Sequence, residues 1–108
     1  VGELKGRVAA AKKAEEIHEG HLRLGELGLF LGDAPAAAAE FEWVMQQAEG
    51  VNFLHWPRAA FGLAQAFLTL GRRDDARQKL ARAEEVFRKY DWLLWTDRVA
   101  RFRTEAEL

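Results

Sequence analysis

Glu15, His18 and His21 are the residues whose types and spacing come nearest to chemistry in this chain. A Glu-x-x-His pair on a helix can offer a carboxylate and an imidazole to one metal ion, as in di-iron helical bundles. Those centres need two such pairs and two further inward glutamates, and the sequence holds no second Glu-x-x-His. His18 therefore reads as a solvated group near a helix end, where the helix dipole favours its cationic form. His55, beside Trp56, has no orienting partner near it in sequence, and an isolated imidazole is a poor catalytic base. Cysteine and serine are absent. Thr69, Thr96 and Thr104 lack an evident base, and Gly25, Gly28 and Gly32 punctuate an apolar helix instead of cradling a phosphate. These residues predict no catalytic centre, no metal site and no cofactor.

Arg72, Arg73, Arg77, Lys79, Arg82, Arg88 and Lys89 form a basic run. Asp75, Glu84 and Glu85 stand four residues before Lys79, Arg88 and Lys89, the favourable order for ion pairs on a helix surface. The expectation is a solvated, paired face without direct nucleic-acid binding. A formal net charge of −1 over 108 residues adds no global field towards nucleic acid or membrane. No apolar run reaches the ~18 residues of a membrane span. Without cysteine there are no disulfides, which suits a reducing, cytoplasmic setting. The length fits a single domain, residues 1–108, and the initial Val1 suggests a piece of a larger protein.

The elements that must position these residues are helical. Residues 3–19 read as a charged, alanine-rich helix with Leu4, Val8 and Ala11 on its apolar stripe, and Gly20 interrupts or bends it. From His21 to Leu31 the chain is apolar on nearly every side, which predicts a helix sandwiched between others. Gly25 and Gly28 inside it imply close approach of a neighbouring backbone. Gly32 then stops that helix, Asp33 caps the next, and Pro35 sits in its first turn. Ala37, Phe41, Val44, Met45 and Ala48 line the second helix. Residues 50–57 are an aromatic connector whose Phe53 and Trp56 fold back onto the helices. A third helix carries Ala60, Leu63, Ala64, Phe67 and Leu70, a turn follows at Gly71, and a fourth carries Ala76, Leu80, Ala83, Phe87 and Tyr90. Residues 91–108 form a last helix with Trp92, Trp95, Val99 and Phe102 at helical spacing. The tryptophans, four with Trp43 and Trp56 included, read as core at the helix junctions, with exposed contact as the alternative.

Gly32 and Gly71 are 39 positions apart, and the same offset lays Leu24-Gly25 over Leu63-Ala64, Ala37 over Ala76, Phe41 over Leu80 and Val44 over Ala83. This internal repeat resembles the tetratricopeptide repeat family. Leu24-Gly25 with Ala37-x3-Phe41, and Leu63-Ala64-x2-Phe67 with Ala76-x3-Leu80, follow its pattern. His21 and Ala60 replace its leading tryptophan, Gly28 replaces an aromatic, the closing proline is missing, and the period exceeds the usual ~34 residues. Longer repeats of this kind are similar to those of large ATP-dependent bacterial transcription activators of the maltose-activator type. Val86-Phe87-x4-Trp92, Trp95-x2-Arg98 and Glu105-x2-Leu108 are similar to the final repeat of that group.

The resemblance implies an all-α, right-handed array of antiparallel helix pairs, about two repeats with flanking helices. It implies a protein-interaction or regulatory module that holds its partner on a concave face. The groove positions it assigns are Glu19, Leu22, Glu26, Leu29 and Phe30 in the first repeat, and Arg58, Phe61, Gln65, Leu68 and Thr69 in the second. Leu22, Glu26, Phe61 and Gln65 stand where chaperone-binding repeats use Lys and Asn, so an amphipathic helix or extended apolar segment is the expected ligand. Sensing of a small-molecule effector in the same apolar groove is the alternative. Phe61 and Leu68 should then be partly exposed, and Trp92 and Trp95 of the last helix cap the array or seal a contact between copies.

Overall fold

The computed structural model describes residues 2–48 and 55–108, with side chains from residue 12 onward. Five helices follow one another: α1 (Gly2–Phe30), α2 (Ala34–Ala48), α3 (His55–Thr69), α4 (Arg73–Lys89) and α5 (Leu93–Ala106). No strand occurs among the described residues. The chain is an all-α array in which α1 pairs with α2, α2 packs on α3, α3 pairs with α4, and α5 lies against α4.

One turn is used repeatedly. Gly32 has φ +79° and Gly71 φ +80°, the left-handed conformation that glycine enters without steric cost. After α1, the amide of Gly32 donates to Leu29 O at 3.2 Å and that of Asp33 to Gly28 O at 2.8 Å. After α3, Gly71 donates to Leu68 O at 3.0 Å and Arg72 to Phe67 O at 2.8 Å. These paired bonds are the Schellman ending of a helix. The α4–α5 turn has the same bonds around Asp91, at φ 58°, with no glycine to mark it. Asp33 accepts the Ala36 amide on Oδ1 at 3.2 Å and so caps α2 as expected.

Phe41 sits at the centre. A Cβ built on Gly25 would stand 2.6 Å from Cε1 of its ring, and one built on Gly62 would also collide with it. Gly28 faces Ala37 in a looser but still tight contact, with a built Cβ 3.1 Å from Ala37 Cβ and 3.2 Å from its Cα. The two helical glycines expected to allow close approach do so, one for a ring and one for a backbone. Ala37, Val44, Met45 and Ala48 on α2, Leu63, Ala64 and Phe67 on α3, and Ala76, Leu80, Ala83 and Phe87 on α4 complete the core.

Several expectations are corrected. Gly20 neither breaks nor ends a helix: α1 runs through it for 29 residues, because nothing packs near this position to force a bend. The 21–31 segment is not sandwiched. Leu22 is buried, but Leu24, Leu27, Phe30 and Leu31 are exposed, since α2 and α3 cover only one side of α1. Helix α3 begins at His55, so Trp56 and Pro57 lie in its first turn, where Pro57 needs no amide donor. Tyr90 leaves the α4 stripe and is largely exposed at the turn, against Trp92. Phe53 and the side chains of Leu4, Val8 and Ala11 lie outside the described residues.

Candidate functional groove

The first helix of each pair and α5 stand side by side, and between them runs an open groove of about 500 Å³. Helix α3 supplies its floor through Arg58, Phe61, Gly62 and Gln65. Helix α1 contributes Glu26 and Leu29 to one wall, and α5 contributes Trp95, Arg98, Arg101, Phe102 and Glu105 to the other. The wall from α5 was not foreseen. Its signal was present, because the 39-residue offset carries Trp56 onto Trp95 and Leu63 onto Phe102.

Arg58 braces the three helices. Its Nη1 donates to Glu19 Oε2 at 2.9 Å and its Nη2 reaches Glu26 Oε1 at 3.3 Å. Its guanidinium also lies 5.3 Å from the centroid of the Trp95 ring, which Arg98 approaches at 4.7 Å. Glu19 is shared further, with His55 Nε2 at 3.1 Å and Arg23 Nε at 3.5 Å. Burial draws the Glu19 carboxyl upward, but the Arg58 hydrogen bond and charge, with His55 and Arg23 behind them, outweigh it and hold it below the usual carboxylate range. Burial pushes the His55 imidazole below its ordinary value, helped by Arg58 and His18 and opposed chiefly by Glu19.

The expected groove residues divide into three sets. Glu26, Leu29, Arg58, Phe61 and Gln65 line the groove together. Glu19 lies behind it as the anchor of Arg58, and Leu22 is fully buried in the core with no surface for a partner. Phe30, Leu68 and Thr69 are not among the lining residues; Phe30 is exposed and Leu68 packs partly against the core. Phe61 is only 7% exposed, contrary to the expectation of a half-open ring. Phe102 and Trp95 close over it edge-on, with centroids at 5.7 and 6.5 Å.

Glu15, His18 and His21 do not gather at one point, while His55, isolated in sequence, gains Glu19 as a partner. His18 is mid-helix and buried, not a solvated helix end, and its ring meets Trp43 and His55 edge-on at 5.9 Å each. His21 turns instead to Glu40 of α2, and Glu15 is exposed. Among the described residues no three His, Asp or Glu side chains converge as metal ligands would. Each threonine hydroxyl donates to the carbonyl four residues before it: Thr69 to Gln65, Thr96 to Trp92 and Thr104 to Ala100. On α4, Glu84 takes Arg88 and also Arg103 of α5, both at 3.5 Å, while Asp75 takes Arg72 at 2.8 Å. Trp92 and Trp95 are half-buried on the chain itself, Trp95 stacking on Phe87 at 5.5 Å.

Comparison with known proteins identifies no relative: no family model matches the chain, and neither does a curated protein or a solved structure. No described helix is long and apolar enough to cross a membrane.

Proposed function

We propose that this chain is a non-catalytic, tetratricopeptide-like interaction module that holds an amphipathic helix or extended apolar segment of another protein in the α1–α3–α5 groove. The observation that carries the reading is the composition of that groove. Leu29, Trp95 and Phe102 offer apolar surface, and Glu26, Arg98, Arg101 and Glu105 surround it with charge of both signs. An apolar centre with a charged rim is the anatomy of a protein-binding surface. On the family resemblance, the module belongs to a cytoplasmic bacterial regulator of transcription or signalling. The volume also falls in the ~300–1,000 Å³ range of small-molecule pockets, which keeps effector sensing as the second reading. The open, doubly charged rim favours the protein segment.

Selection from a randomised peptide-display library tests the proposal, using the whole chain as bait and Gln65→Arg as counter-bait. Gln65 is half-buried on the groove floor, so a long cation there blocks the groove without emptying the core. The expected result is peptides with spaced apolar residues that bind the natural chain and not the variant. Peptides that bind both equally would place recognition elsewhere. An empty selection, combined with a melting midpoint raised by a member of a metabolite library, would favour the effector reading.

A further inference from the structure

The repeat register identifies a second surface, separate from the groove. Thirty-nine positions separate Ile17, Gly20, Leu24 and Leu27 of α1 from Trp56, Ala59, Leu63 and Ala66 of α3. In α3 these positions are 9, 0, 1 and 0% exposed. Helix α2 passes beside them, its Phe41 against Gly62 and its Met45 in a cleft with Leu63, and α4 reaches the same face through Arg82, which lies 4.7 Å from the centroid of the Trp56 ring. In α1 the equivalent Ile17, Leu24 and Leu27 are 44, 51 and 50% exposed, and Gly20 is exposed between them. The spacing of three, four and three residues makes one continuous helical stripe. Position for position, α1 exposes a face whose equivalent in α3 is buried.

We infer that the stripe is a docking site for a helix of α2's type supplied by a separate polypeptide. Equivalence with α3 defines the shape of the occupant, an amphipathic helix with small residues and one aromatic on its apolar face. Charge complementarity agrees with it. Helix α2 carries Glu40 and Glu42 and no base, and the margin of the stripe exposes Lys12, Lys13 and Arg23, the last paired with Glu19, beside Glu16. A second copy cannot supply its own α2 or α4, because the apolar faces of both are already buried within the chain. The α2–α3 junction lies between Ala48 and His55, and its equivalent 39 positions earlier, residues 9–16, lies inside unbroken α1.

The test uses a capped synthetic peptide of residues 33–48, labelled for fluorescence anisotropy, titrated with the full 108-residue chain. Saturable binding is expected, weakened at least about tenfold by Leu24→Asp or Leu27→Asp. Exposed side chains are replaced, so these variants should keep the melting midpoint of the natural chain. Gln65→Arg, in the groove, should leave the peptide affinity unchanged. Absence of saturable binding overturns the inference. Binding indifferent to Leu24→Asp and Leu27→Asp also overturns it, because the peptide would then be exchanging with α2 in its own seat. Self-association of the chain that the same variants abolish would overturn it too, by assigning the stripe to a second copy.

Discussion

The Phe41 ring lies against two glycines, Gly25 of α1 and Gly62 of α3, and a Cβ at either position would collide with it. Gly25→Ala should therefore destabilise, by about 1–3 kcal/mol for overpacking a core that cannot yield. Gly20→Ala should do the reverse and stabilise by roughly 0.5–1 kcal/mol, because the site is helical, exposed and empty around its Cα. Urea denaturation of the two variants checks the pair, and equal effects would mean that Gly25 does not mark a tight contact. At the same scale, His55 and Glu19 make stability depend on pH. Both groups have folded values depressed below their unfolded ones, near 6.5 and 4.5. Below its unfolded value each group binds protons in the unfolded chain that it resists in the folded one, so folding weakens as pH falls. The melting midpoint should decline as pH falls below about 6.5 through His55 and again below about 4.5 through Glu19. His55→Gln should flatten the first decline only; an unaltered slope would assign it to another group.

Among the elements, α2, α3 and α4 were legible from the sequence because each buries a stripe of one spacing and two of the turns are marked by glycine. Helix α1 departs from its pattern. Its leucines look like core, yet nothing among the described residues covers one side of it, and burial depends on neighbours that composition does not reveal. The third turn was also obscured, since Asp91 enters the left-handed region that glycine marks at Gly32 and Gly71. Half of the expected groove residues line it, but Leu22 is buried in the core and Phe61, though a lining residue, is almost closed over. The same spacing puts a residue on a floor or beneath one, and for Phe61 the position of α5 decides which. That position gives α5 its importance. It shields Phe61 with Phe102, lays Trp95 on Phe87, and buries Val99 completely. Terminal units of repeat arrays close an apolar face that would otherwise meet water. Deleting residues 91–108 should broaden the urea transition and produce self-association in sedimentation experiments. A stable, monomeric truncation with a sharp transition would contradict the capping role.

At the scale of the whole molecule, three helices, α1, α3 and α5, line one surface. The described chain is elongated, with principal extents of 53 × 30 × 19 Å, so a groove crossing its helices can contact an extended ligand over several of them. Arg58 joins all three helices through Glu19, Glu26 and Trp95, which fixes the relative placement of the walls before any partner arrives. Preorganisation of this kind lowers the cost of ordering an interface on binding. The most direct test is a chemical-shift map of the isotope-labelled chain titrated with the peptide recovered by display. Perturbations are predicted together at Leu29 on α1, Gln65 on α3 and Phe102 on α5, with the solvent face of α4 silent. Shifts confined to one helix, or centred on α4, would contradict the account.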